Sequence, residues 1–146
     1  MRGNLLQGHR DIDRLLAGLQ TIAVLGIKPE IHASKPAHIV PSYLHRVGYD
    51  MLPVPVYYED VTEILGRQVY RRLADIPRRV DLVNVFRKPG DLAQHLPDML
   101  KARPHAVWLQ TGIRDDEFAS QLLAAGIDVI QDECLMVEDR RWRSSR

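Results

Sequence analysis

The chain has 146 residues, of which 45% are hydrophobic and 27% charged, with a formal net charge of +1. That length suits one domain that buries its own core without disulfides or metals. So even a charge excludes the whole-molecule field expected of a nucleic-acid or membrane-surface binder.

Cys134 is the sole cysteine, which excludes an intrachain disulfide framework and fits a reducing compartment. No apolar run approaches the ~18 residues of a membrane span, and none near the start resembles a signal peptide. The expectation is one cytoplasmic domain over residues 1–146. Residues 1–8 are expected to be frayed, and the charged segment from Glu138 onward, including 139–146, to lie peripherally on the surface.

Ile12, Leu15, Leu16 and Leu19 recur on one face of a short helix, with Asp11 or Asp13 near its positive end. Thr21 to Leu25, TIAVL, is short, β-branched and apolar at nearly every position, as a central parallel strand covered on both faces should be. Gly26 follows, where a glycine lets the backbone turn sharply or approach a ligand closely. Ser34, Lys35 and Pro36 read as a helix start, since proline is favoured in the first helical turn. Ile39, Val40, Tyr43, Leu44 and Val47 then repeat at helical spacing up to Gly48. Pro41, about a turn in, shifts or bends the entry of that helix more than it breaks it.

Tyr49 to Val56, YDMLPVPV, predicts a second strand. Its prolines require that pairing stop around Pro53 or that the strand run along an edge beyond that point. Val69 and Tyr70 predict a stub of strand, and Leu73 to Ile76 a single turn ended by Pro77. Val80 to Phe86 predicts a third strand, Ala106 to Leu109 a fourth and Ile127 to Ile130 a fifth. Asp91 to Ala102 has helical spacing interrupted by Pro97, which implies two short helices or one kinked helix. Asp115 to Ala125 is a helix stopped by Gly126. Such alternation argues for the α/β class, as a single doubly wound parallel-sheet domain of Rossmann type.

Ligands of open parallel sheets bind outside the carboxyl ends of the strands. Just past the predicted strands stand Gly26, Ile27 and Lys28, then Pro53, Val54 and Pro55, then Phe86, Arg87 and Lys88, and finally Gln110, Thr111 and Gly112. The set has cations, amides and small residues but no carboxylate pair, so it suits an anionic ligand with an extended body. The helix start at Ser34, Lys35, Pro36 and Ala37 adds free amides and a positive dipole end, a phosphate site. A dinucleotide fingerprint is only partly met. Gly26 matches its first glycine, but Lys28 and Ile31 stand where the others belong, and no acidic residue closes the second strand to bond an NAD ribose.

The stretches TIAVLGIKPEIHASKPAHIVPSYLHRVGYDMLPVPV, LADIPRRVDLVNVFRKP, AVWLQTGI and DECLMVE run in that order from about Thr21 to Glu138. As an ordered set they resemble the small stand-alone CoA-binding proteins, whose domain is similar to the CoA-binding domain of succinyl-CoA synthetase alpha subunits. The resemblance implies coenzyme A or an acyl-CoA as ligand. It implies that Gly26 to Lys28 and Ser34 to Ala37 hold the pyrophosphate, and that Pro53, Val54, Pro55 and Val56 border the adenine and ribose. The pantetheine arm would pass Phe86 and Arg87 towards Gln110, Thr111 and Gly112. Many relatives carry Val-Asn-Pro after the second strand, where this chain has Val54-Pro55-Val56 and so lacks an asparagine contact to the ligand. The resemblance brings no catalytic residue, because the synthetases phosphorylate a histidine in a separate domain.

Each feature also has an ordinary reading. Gly26 serves a tight turn equally well, Lys28 and Lys35 suit a solvated surface, and Arg87 suits an ion pair at the rim of the core. His38 and His45 are seven residues apart, about two helical turns, too far for one metal ion, and His32 lies in the loop. No metal site is expected. Asp132 and Glu133 precede Cys134 and discourage a thiolate. Arg140, Arg141, Arg143 and Arg146 around Trp142 lack a supporting basic face, so a solvated tail is expected and not an RNA-binding one.

These readings converge on a non-catalytic binder of a small-molecule CoA ligand, with no nucleic-acid or membrane partner. A protein partner is left open. Two alternatives remain: an enzyme using NAD(P) or another nucleotide, supported by the fold alone, and a subunit that supplies a CoA site to a partner enzyme.

Overall fold

The computed structural model describes residues 1–146. Five parallel strands form one sheet: β1 (Thr21–Leu25), β2 (Asp50–Val54), β5 (Leu82–Val85), β6 (Ala106–Leu109) and β7 (Asp128–Ile130). Their order is β2-β1-β5-β6-β7. This is a doubly wound, Rossmann-like sheet, and its order reverses between β1 and β5, the place where such sheets open a crevice.

Alternate side chains supply two cores. Ile22, Val24, Leu82, Ala106, Trp108 and Ile130 pack with the helices α1 (Gly8–Ala17), α2 (Pro36–Arg46) and α5 (Leu135–Ser144), through Ile12, Leu16, Leu44 and Leu135 among others. Ala23, Leu25, Val83, Val85, Val107, Leu109 and Val129 point the other way, to Met99 of α3 (Leu96–Ala102) and Phe118 and Leu122 of α4 (Asp116–Ala124). With both faces covered, near-continuous apolar runs such as TIAVL are what burial requires.

The prolines of the second strand are resolved by its place at the edge. Pro53 pairs in register with Val24, and its carbonyl accepts the Tyr70 amide at 2.8 Å. A residue's N–H and C=O point to the same side of a strand, so the missing proton of Pro53 faces away from β1 and costs the sheet nothing. The expected strand at Val69 and Tyr70 falls slightly earlier. It is an antiparallel hairpin of β3 (Glu63–Ile64) and β4 (Arg67–Gln68), turned by Leu65 and Gly66 at φ of 58° and 69°. Arg67 and Arg78 both donate to Asp50, each at 2.6 Å, which ties this edge to β2. Burial pushes the Asp50 carboxyl up, but the two guanidinium bonds outweigh it and hold the pKa below the ordinary value. Pro97 neither kinks nor divides α3; it stands in the first turn, after two short 3-10 turns at Pro89–Asp91 and Ala93–His95.

Both termini depart from expectation. The first residues join the sheet edge: Leu5 bridges Val129, Leu6 N donates to Val129 O at 2.8 Å, and Gly3 N donates to Leu123 O at 2.7 Å. The segment from Glu138 is no surface tail but most of α5. Asp139 is fully buried and accepts from Tyr43 Oη at 2.7 Å, Tyr49 Oη at 2.6 Å and Arg143 Nε at 2.6 Å. Burial first, and the bond to Asp139 second, push the Tyr43 hydroxyl up to about 12 and Tyr49 higher still. Arg141 is likewise occupied, by Asp13 of α1 and by Glu138.

Removal of the shared acceptor should therefore cost more than removal of one donor. Asp139→Ala is expected to lower stability by about 3 kcal/mol, since three donors lose their partner, and Tyr49→Phe by about 1 kcal/mol. Urea unfolding of both variants measures this. Equal and small losses would mean that apolar packing alone holds α5.

Candidate functional site

A cleft of about 680 Å³ opens at the carboxyl ends of β1, β5 and β6, between the starts of α2 and α5. It brings together Lys28, Lys35, Pro36, Ala37, Phe86, Arg87, Gln110, Thr111 and Gly112. A smaller cavity of about 80 Å³ shares Lys28, Phe86 and Arg87 and adds Gly26 and Ile27, together with Val56, Tyr57 and Tyr58. Ser34, Pro53, Val54 and Pro55 line neither cavity. Ser34 is exposed in the turn before α2. The two prolines are buried at the sheet edge, and Val54, 1% exposed, belongs to the core.

The first loop is shaped by backbone packing. Gly26 has φ of 89°, and a Cβ there would lie 2.4 Å from the Phe86 carbonyl oxygen. Only glycine tolerates that position, so its requirement is met inside the protein and not by a ligand. Gly26 N donates to Val54 O at 2.9 Å and Lys28 N to Ala37 O at 3.1 Å. His38, buried on α2, donates from Nδ1 to Lys28 O at 2.8 Å. The amides of Gly26 and Lys28 are thus occupied, whereas those of Ile27 and Ala37 have no partner within the chain. Ala37 N lies in the first turn of α2, where an anion is favoured.

Four cations line the cleft and no carboxylate does. Lys28, Lys35 and Lys88 make no ion pair. Arg87 is only 9% exposed and is held firmly. Its Nε donates to His95 Nε2 at 3.1 Å, its guanidinium lies 5.4 Å from the Tyr57 ring centroid, and Asp91 stands 3.8 Å away. As acceptor, His95 is neutral at Nε2, and burial first and Arg87 second lower its pKa. Nowhere does the chain gather three or more His, Cys, Asp or Glu in a group fit for a metal ion.

The cleft also contains residues that strand-end reasoning missed. Ile39 and Val40 come from α2, Ile113 from the loop after β6, and Cys134 and Met136 from the start of α5. The signal for the last pair was the DECLMVE stretch, which follows the final strand at its carboxyl end.

The CoA binding domain family model matches residues 20–140, nearly the whole sheet and the cleft. The chain belongs to the CoA-binding domain family. Among curated relatives, the uncharacterised protein YneT of Bacillus subtilis (strain 168) is 28% identical over 127 residues, covering 87% of this chain and 90% of YneT. A Thermus thermophilus structure is 42% identical with a TM-score of 0.84, over 93% of this chain and 99% of that one. A hypothetical protein from Pyrococcus horikoshii OT3 is 29% identical with a TM-score of 0.83, over 98% and 97%. The dinucleotide-forming acetyl-coenzyme A synthetase 1 of Ca. Korarchaeum cryptofilum shares the fold: 19% identity, TM-score 0.65, over 75% of this chain and 25% of that one.

Gly26 and Gly48 separate conformational strain from collision. Gly48 also has positive φ, 108°, but a Cβ there meets nothing within 4 Å. Gly48→Ala should cost about 1 kcal/mol of stability from strain alone, and Gly26→Ala about 3 kcal/mol or more from strain plus the Phe86 carbonyl. Denaturant midpoints compare them, and equal losses would show that the Phe86 contact relaxes freely.

Proposed function

We propose that this protein binds coenzyme A or an acyl-CoA in the main cleft, with no catalytic residue assigned. The observation that carries the reading is one crevice at the switch point that combines the start of α2, three lysines without ion pairs and a buried arginine, with no carboxylate. Membership of the CoA-binding domain family supports CoA as the anion in question. In this reading the phosphates rest on the Ala37 amide and the positive end of α2, assisted by Lys28, Lys35 and Arg87. The arm passes Phe86 towards Gln110, Thr111 and Gly112. The end of β2 contributes through Val56 at the smaller cavity, in place of Pro53, Val54 and Pro55.

A ligand that binds only the folded state stabilises it by mass action. CoA at a hundred times its Kd should add about 2.7 kcal/mol and raise Tm by roughly 5–11 °C for a domain of this size. The double variant Lys28→Glu with Lys35→Glu should weaken CoA at least about tenfold, because two phosphate-facing cations become repulsive. Thermal shift and calorimetry provide both readouts. Unchanged melting and no heat at millimolar CoA would defeat the reading, and binding of NADH in that event would redirect it to a nucleotide-dependent enzyme.

A further inference from the structure

The carboxamide of Gln110 is oriented from behind. Gln110 is 6% exposed at the end of β6, and its Oε1 accepts two bonds, from Leu135 N at 3.0 Å and from Asn84 Nδ2 at 3.1 Å. The Leu135 amide can only donate, so the oxygen of Gln110 must face it; the flipped amide would set N–H against N–H. Asn84, fully buried on β5, must then present its own NH2 to the same oxygen. That orientation is kept although it leaves Asn84 Oδ1 buried without a partner.

What remains is the Gln110 NH2. It donates to no group in the chain. Among buried side-chain polar atoms, only Asn84 Oδ1 lacks a partner, so Gln110 Nε2 retains access to the cleft that its residue lines. It is a fixed, unspent donor on a residue more than nine-tenths buried, with nothing inside the protein to satisfy it. Its surroundings differ from those of the cations. Lys28 and Arg87 follow β1 and β5 and Lys35 begins α2, whereas Gln110 is flanked by Ile113, Cys134 and Met136 on the β6 side. The Asp132 carboxylate stands at the rim of this end, where its Oδ1 accepts the Gly112 amide at 2.6 Å. The donor therefore suits a carbonyl oxygen attached to an uncharged group.

On the reading that the cleft holds a CoA ligand, we propose that it takes a CoA thioester of an uncharged acyl group, with Gln110 Nε2 donating to the thioester carbonyl oxygen and the acyl chain against Ile113, Cys134 and Met136. Gln110 is then the residue that distinguishes acyl-CoA from the free thiol, and Asn84 positions it.

The test compares butyryl-CoA with S-butyl-CoA, the thioether of equal chain length that lacks only the carbonyl. Calorimetry on the full chain should show the thioester bound about threefold to tenfold more tightly, the worth of one hydrogen bond from a preset donor. Gln110→Glu keeps an acceptor for Leu135 N and Asn84 Nδ2 but replaces the free NH2 by oxygen. At a pH where that carboxyl is ionised, the ratio should fall to one or below. Equal wild-type affinities for thioester and thioether would overturn the proposal without any variant. So would a ratio that survives Gln110→Glu in a protein whose circular dichroism is unchanged. Failure of CoA, thioester and thioether alike to bind would instead overturn the CoA reading itself.

Discussion

The close approach of Gly26 to the carbonyl of Phe86 sets the geometry on which the rest of the molecule depends. Phe86 N donates back to Leu25 O at 2.9 Å, and Gly26 N donates to Val54 O at 2.9 Å, so the ends of β1, β2 and β5 are stitched together at one level. At positive φ the chain leaves that seam in a direction other residues resist. It then returns at once, because Lys28 exchanges bonds with α2: its N–H with Ala37 O and its carbonyl with His38. A close backbone contact in the sheet thereby places the first turn of a helix over the point where strand order reverses. The positive end of α2 and its cations are consequences of that placement.

A second, polar constraint closes the other side. Helix α5 is held by Asp139 through Tyr43 and Tyr49 of the α2–β2 segment, and by Arg141 through Asp13 of α1. The turn before it is pinned by Trp108, whose Nε1 donates to Glu133 O at 2.8 Å. These bonds bring Leu135 N to the Gln110 carboxamide. Burying so many polar groups is costly unless each is paired, and the pairs span the chain from Asp13 to Arg143. The site therefore inherits its rigidity from contacts well outside the cleft.

The strands were legible because a strand buried on both faces must be nearly continuous in apolar residues, as TIAVL and AVWL are and as LVNV is apart from Asn84. The helix starts at Pro36 and Asp115 were legible because their chemistry is local: a proline that needs no donor, and a side chain that accepts Phe118 N at 3.0 Å. Helix α5 was hidden for the opposite reason. Asp139 and Arg143 resemble a solvated tail until Tyr43 and Tyr49, 96 and 90 residues before Asp139, arrive to bury them. The same limit governed the site. Residues after β1, β5 and β6 meet because those strands are neighbours, but the residues after β2 are at the edge, where Tyr70 covers Pro53. Cys134 and Met136 enter from a helix whose burial the local sequence conceals.

The order of strands also decides how a ligand must lie. Cations occur at the ends of β1 and β5 and at the start of α2, and the unspent amide at the end of β6; no carboxylate lines the cleft, Asp91 standing beside Arg87 and Asp132 bonded to the Gly112 amide at its rim. Adjacent strands are about 4.8 Å apart, so from β1 to β6 is about 10 Å across the sheet. A lone phosphate satisfies one side of such a cleft and leaves the amide at the other side idle. A dicarboxylate would bring one charge towards Asp132, whose carboxylate already accepts the Gly112 amide at that rim. The electrostatics therefore favour a molecule anionic at one end, neutral at the other and long enough to cross three strands, laid perpendicular to them.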